Sequence, residues 1–290
     1  MLWLYIALTA YFINALVFVI DKYLLAGQIP KYHAYAFGVS ILSLASLFLI
    51  PFGVVWLGMS YFLITLACGA AFFLGLMFLY KCIKESDVSV AATQTGTMGA
   101  IFTYVFSTII LKDVLPPSSL VALLFLIAGI FFLGKIEKHV FLSAVLAGLL
   151  FGLSYVLLKL SFNDGGFING LFWTRMGFVG SAFLSLLSGH IRREVWYSLH
   201  HASNHSKFLF VFNKVLAGIG FTILYFAINL GNISVINSLL GIQFLFTFVI
   251  VLVLKERVSG IKEKMDNGIF AFKLLGIISV LIGFFILFIK

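Results

Sequence analysis

The sequence predicts an all-α integral membrane protein, a single membrane domain over residues 1–290, and three observations carry that prediction. Hydrophobic residues make up 62% of the chain and charged residues 10%, against ~25% charged in soluble domains. So little polar surface cannot cover a globule in water. Apolar stretches matching the ~20 residues that a helix needs to cross a ~30 Å hydrocarbon core recur from end to end. The basic residues, finally, alternate in density from one connection to the next.

Ten transmembrane helices are expected, at 2–25, 34–56, 60–82, 87–111, 118–134, 139–160, 167–188, 207–229, 232–254 and 270–289. The first, within "MLWLYIALTAYFINALVFVIDK", lacks a basic start and a small-residue cleavage site, and is expected as an uncut span. Cys68 and Cys82 share the third span, which argues against a structural disulfide between them. "LPPSS" makes the turn into the fifth. Gly148 and Gly152 on the sixth have the GxxxG spacing of close helix packing. Between the seventh and eighth, "GHIRREVWYSLHHASNHSK" is expected as an interfacial loop or short amphipathic helix with its arginines toward acidic headgroups.

The odd-numbered connections hold 14 of the 19 basic residues, from Lys22 and Lys31 to Lys264 and Lys273, while Lys112 and Lys290 fall on the other face. By the positive-inside rule the odd connections are cytoplasmic and both termini outside, in a plasma or inner cell membrane. The net charge of +9 is thereby explained by the lipid bilayer as partner, and nucleic acid is not expected.

The halves 1–134 and 139–290 read as copies. "LYKCIKESDVSVAATQTGTMGAIFTYVFSTIILKDVL" aligns with "LYFAINLGNISVINSLLGIQFLFTFVIVLVLKERV", matching Tyr80 to Tyr225, Ser89 to Ser234, Gly96 to Gly241, and Lys112-Asp113 to Lys255-Glu256. "FVIDKYLL" similarly sets Lys22 against Lys159 in "YVLLKLSF". Five spans per half force the second copy to enter the membrane upside down, so two inverted five-helix repeats are expected, a recurrent plan of secondary transporters.

The span count, the five-helix repeat, the paired "LKDVL" and "LKERV" endings and an arginine in the helix after the repeat's first, here Arg175, resemble the EamA-like transporters of the drug/metabolite transporter superfamily. The resemblance covers the whole chain and implies transport through a central cavity lined by spans one to four and six to nine, with five and ten peripheral. Two features depart from it. Family members often carry proline in spans four and nine, where this chain has Met98-Gly99-Ala100 and Ile242-Gln243-Phe244, so Gly96, Gly99 and Gly241 are the expected bending points. Relatives of this size usually have cytoplasmic termini, whereas the charge count places them outside.

Arg175, within "NGLFWTRMGFVGSAFLSLLSG", is the foremost candidate for substrate binding, since a charge at a helix centre costs roughly 2.5–3.5 kcal/mol and marks function by default. The structural alternative ties it to carbonyls or to an unseen acid. Lys214 is expected about 10 Å into its helix, shallow enough either to snorkel or to serve the substrate. Lys159 and Lys22, near helix ends, are expected to snorkel, although Lys159 stays among the candidates. Asp21 is the only acid inside the membrane boundary, and its neighbour Lys22 cannot face it. Excess positive charge favours an anionic or zwitterionic solute. The family's exporters of cationic drugs carry a glutamate on the first helix where this chain has Asn14, which argues against that activity.

Asn14, Gln94, Thr97, Tyr225, Asn237 and Gln243 complete the candidate set as hydrogen-bonding groups along a wet path, with interhelical bonding as the alternative for each. No cofactor or metal is expected: His201 and His205 have i, i+4 spacing but no third ligand. Enzymatic activity is not expected, because magnesium chemistry needs clustered acids and Asp164 stands alone, while all six histidines fall in connections or at helix ends. The expected function is a secondary carrier or exchanger of a small organic metabolite. A flippase for a phosphate-bearing lipid and a non-transporting scaffold subunit are the alternatives. A homo-oligomer is left open.

Overall fold

A computed structural model of the protein describes residues 2–29, 31–86, 88–114, 117–133, 138–254 and isolated positions between 271 and 286. Among the described residues there is no strand, and seven helices are long and apolar enough to cross a membrane. The chain is an all-α, multi-pass membrane protein.

Helix α1 (Leu2–Tyr23) ends in a π-turn, Leu24–Gln28. α2 (Tyr32–Leu42) passes into a ten-residue 3₁₀ segment, Ser43–Phe52. Such runs seldom exceed 3–4 residues, and the sequence shows why this one persists. Pro51 has no N–H to close an α-turn. Ser43 and Ser46 donate their hydroxyls to the carbonyls of Val39 (3.3 Å) and Ser43 (2.8 Å), competing with the regular ladder. α3 (Met59–Glu85) and α4 (Val88–Phe106) follow, α4 ending in a second π-turn, Ser107–Leu111, before α5 (Pro117–Leu133).

α6 (Lys138–Ser185) has 48 residues, over twice what a bilayer requires, and is broken at Gly166 with φ 74° and ψ 171°. That region is essentially closed to residues with a side chain. α7 (Gly189–His201) is the expected amphipathic helix, with Val195 buried and Arg192 and Arg193 exposed. α8 (Asn204–Leu230) begins at Ser203, whose side chain accepts the Ser206 N–H. α9 (Ile233–Ser238) and α10 (Leu240–Leu254) divide the expected ninth span at Leu239. The expected tenth span lies outside the described residues save isolated positions, of which Ser279 donates to the Phe125 carbonyl of α5 at 2.7 Å. The connection carrying Lys255, Glu256, Arg257, Lys262 and Lys264 lies outside them entirely.

The expected bending points need correction. α4 runs unbroken through Gly96 and Gly99, and Gly241 lies inside α10. The irregularities fall instead at the 3₁₀ segment, the π-turns, Gly166 and Leu239. Leu239 donates to both Val235 (3.3 Å) and Ile236 (3.1 Å), so a tightened turn does the work expected of glycine.

Contacts between connections respect their parity. Lys22, after α1, reaches the carbonyls of Ile83 and Ser86 at the end of α3, and His33 meets Glu194 of α7. At the other end of the bundle Val55 bonds Asn169 (2.9 Å), and Asn232 bonds Asp113 (3.2 Å). Odd joins odd and even joins even, as alternate crossings require.

Glycines set how closely the helices approach. α3 and α4 both pack on α6. A Cβ on Gly148 would strike Met98 and the backbone of Gly99, and one on Gly152 would lie 2.8 Å from the Thr103 nitrogen. The GxxxG spacing is therefore a packing surface for α4. Gly69 of α3 lies against the backbone of Thr174, Gly177 and Phe178, and Gly177 answers with a Cβ position 2.8 Å from Leu66 Cα. Backbone lies on both sides, so nothing can give.

Gly69→Ala should therefore separate α3 from α6 and destabilise by about 1–3 kcal/mol, the usual cost of overpacking. Gly180→Ala, on the limb of α6 that carries Gly177 but with nothing within 4 Å, should stay within about 0.5 kcal/mol of wild type. Thermal unfolding of the two purified variants checks this, and equal melting temperatures would refute the close contact.

Candidate functional site

The helices enclose a central cavity of about 640 Å³, within the range of small-molecule sites. α1, α2 with its 3₁₀ segment, α3, α4, both limbs of α6, α8 and α10 all contribute to its wall, and among the described residues α5 contributes none. Half of the wall is Val, Leu, Ile and Phe.

Arg175 lies on the wall, eight residues into the limb of α6 that starts at 167, or about 12 Å along its axis. Its guanidinium carbon sits 5.0 Å from the centre of the Tyr225 ring, 5.6 Å from Phe72 and 5.9 Å from Phe178. Among the described residues no carboxylate pairs with it. Cation–π contacts contribute about 0.5–2 kcal/mol each, so three of them offset most of the roughly 2.5–3.5 kcal/mol that an intramembrane arginine costs. The rings hold the cation without neutralising it.

Lys214 behaves differently, and the expectation for it needs correction. α8 begins at Asn204, so Lys214 is ten residues into the helix, about 15 Å along it. It is buried and pairs with Asp21 at 2.5 Å. The same carboxylate oxygen accepts from Tyr35 Oη (2.6 Å) and Asn213 Nδ2 (2.6 Å), and Lys214 also reaches Tyr80 Oη at 3.3 Å. Asp21 thus faces Lys214 rather than its neighbour Lys22, and the excess of positive charge expected from the sequence shrinks. Tyr35 escaped the sequence reading, while Asp21, Tyr80 and Asn213 entered it without this role. The available signal was that an acid and a cation inside a membrane tend to find each other.

Lys22 and Lys159 do not snorkel either. Lys22 donates to the carbonyls of Ile83 (2.9 Å) and Ser86 (2.6 Å), and Lys159 to those of Ile228 and Asn229, both at 2.9 Å. Each caps the C-terminal end of a helix, where a cation is favoured. Lys159 is accordingly no part of the cavity wall.

Asn14 lines the cavity seven residues before Asp21, on the same face of α1. It is 5% exposed, and its Oδ1, packed against Gly220 of α8, has no hydrogen-bond partner among the described residues, a loss of about 1–3 kcal/mol. Gln243 is buried and also on the wall. Tyr225 acts through its ring on Arg175. Gln94 is buried in α4 outside the wall. Asn237 bonds Thr103 at 2.8 Å and joins α9 to α4, the interhelical alternative. The Thr97 side chain lies outside the described residues. His201 bonds the Tyr197 carbonyl at 2.9 Å and stacks on its ring.

One edge of the cavity faces sideways. Ala45 on the 3₁₀ segment and Val215, Gly218, Ile219 and Thr222 on α8 line it and are also exposed. A Cβ on Gly218 would meet nothing within 4 Å. The cavity is therefore open laterally between these two elements.

No family model matches the chain, and no curated protein matches it. Twenty-eight chains of solved structure do. One, described only as "Crystal structure of protein", superposes with a TM-score of 0.65 over 95% of this chain and 93% of its own, at 14% identity. The likeness is one of fold.

Removing one member of the buried pair leaves an uncompensated charge, a loss of about 3–5 kcal/mol. Asp21→Asn and Lys214→Met should each destabilise by that order, and the double variant should recover most of the loss. Additive losses in a double-mutant cycle would show that the two groups do not depend on each other.

Proposed function

We propose that the protein is a secondary transporter, a carrier or exchanger working by alternating access, whose solute is a small organic anion or zwitterion bound at Arg175. One observation carries this reading: Arg175 stands on the cavity wall with aromatic faces around it and no carboxylate partner among the described residues. Lys214 is neutralised by Asp21, and Lys22 and Lys159 are spent on helix ends. An uncompensated cation in a low dielectric gains most from an anion.

The transporter reading includes ten spans in two inverted five-helix repeats, in a cell membrane with both termini outside. It draws support from the lysines. The alignment that pairs Tyr80 with Tyr225 also pairs Ile83 with Ile228, and the matched Lys22 and Lys159 grip those matched carbonyls. The wall drawn from every described spanning helix but α5 also agrees with the plan of the EamA-like transporters that the sequence resembles. A scaffold subunit would leave its polar groups engaged with one another around no cavity, so the cavity weighs against it.

The lateral opening favours a second reading, a flippase for a phosphate-bearing lipid. Its headgroup would lie at Arg175 while its tails passed between the 3₁₀ segment and α8.

Thermal unfolding in detergent distinguishes these readings. A ligand that binds only the folded state contributes about 2.7 kcal/mol at one hundred times its Kd. Organic anions or zwitterions should raise the melting temperature of wild type, Arg175→Ala should abolish the shift, and Arg175→Lys should retain part of it. Stabilisation by short-chain phospholipids alone would transfer the assignment to the lipid. Stabilisation by cations only, or an undiminished shift in Arg175→Ala, would overturn the anion site.

A further inference from the structure

Away from the cavity, a second group of side chains gathers where α7 meets the start of α2. His190 and Glu194 are four residues apart on α7 and share a face, and His33 comes from the first turn of α2. His33 Nδ1 lies 2.6 Å from Glu194 Oε2, His190 Nε2 lies 3.6 Å from Glu194 Oε1, and the three ligand atoms all fall within 4.8 Å of one another. The two imidazoles meet edge to face at 5.6 Å.

We propose that His33, His190 and Glu194 form a binding site for a divalent transition-metal ion of the zinc class, which fastens α7 to α2. Two imidazoles and a carboxylate are the donors that zinc takes where three protein ligands leave a fourth position for water. Zinc bonds of about 2.0–2.2 Å in a tetrahedron set neighbouring donor atoms about 3.3 Å apart. The His190 to Glu194 separation is already close to that value. The His33 to Glu194 contact has only to open slightly.

The movable partner is the right one. His190 is 67% exposed and free to turn its ring inward, whereas His33 and Glu194, at 13% and 14%, are held by their surroundings. One group opposes the ion: Lys31 Nζ lies 3.6 Å from Glu194 Oε1. Its side chain is 39% exposed, so it can withdraw into water, and it competes with the metal for the carboxylate. That competition separates a metal site from a simple ion-pair cluster. The clamp would act on the helix whose continuation, the 3₁₀ segment, forms one edge of the cavity.

The test is calorimetric titration of ZnCl₂ into the full-length, chelator-treated, tag-free protein in detergent, with the melting temperature as a second readout. The expected result is one saturable ion per chain and a higher melting temperature. His190→Ala, at an exposed position that leaves the fold intact, and Glu194→Gln should each weaken binding by more than the roughly 10–100-fold lost with an outer ligand partner. Lys31→Ala should tighten it, and His201→Ala should leave it unchanged. No saturable zinc in wild type, or an affinity untouched by His190→Ala, overturns the site.

Discussion

One carboxylate oxygen holds the centre of this protein together. Asp21 Oδ1 takes Lys214, Asn213 and Tyr35 at once, and Lys214 extends the cluster to Tyr80. Four helices, α1, α2, α3 and α8, therefore converge on a single buried anion at the cavity wall. Neither charge would be tolerable there alone, since each costs several kcal/mol to desolvate. Together, with donors filling the remaining valences, they become a fixed point around which apolar helices with little directional preference take up one rotation. Tyr35 completes the arrangement by placing its ring 4.8 Å from those of both Tyr80 and Phe210.

That fixed point defines what Arg175 can do. The molecule keeps its intramembrane cations by three different means: a carboxylate for Lys214, helix-end carbonyls for Lys22 and Lys159, and aromatic faces for Arg175. The first cancels the charge. The second satisfies the ammonium donors and meets the partial negative charge of a helix terminus. Only the third leaves a full positive charge pointing into space, because a ring quadrupole is attracted to a cation without carrying a compensating charge. Phe72 is central to this, lying edge-on to Phe151, Phe178 and Phe221 at 5.2–5.7 Å and so tying the ring around Arg175 to α3, both limbs of α6 and α8.

Much of this was legible in the sequence, and what was not has identifiable causes. Apolar length located the helices, and the charge parity anticipated which connections share an end, because both depend on local composition. Arg175 was conspicuous because an arginine in an apolar run has no cheap explanation. For Lys214 the choice between snorkelling and a substrate role could not be made from its own helix, because its partner lies on α1. Its pairing with Asp21, 193 positions away, could not be read from periodicity when the helices are apolar on nearly every face. The rings around Arg175 were hidden by abundance, with aromatics making up 17% of the chain. Of the His33, His190 and Glu194 group, only the i, i+4 half on α7 is visible in sequence.

The irregular backbone follows the cavity. Non-helical backbone at membrane depth is tolerable only where protein or an aqueous space covers it, and the longest such stretch among the described residues, Ser43–Phe52, is the one that walls the cavity beside α8. The break at Leu239 immediately precedes Leu240, another lining residue. A 3₁₀ segment of ten residues is about 20 Å long against about 15 Å for the same residues as α-helix. Pro51 and the two serines thus give this edge an extra ~5 Å of length. α2 with its continuation is then about 36 Å long, longer than the ~30 Å hydrocarbon core it crosses. Its lipid-facing surface carries Phe48 at 80% and Phe52 at 72% exposure, so the edge of the opening is itself at home in acyl chains. The cavity therefore joins a charged group at Arg175 to a greasy doorway beside α8, two chemically opposite surfaces in one continuous space.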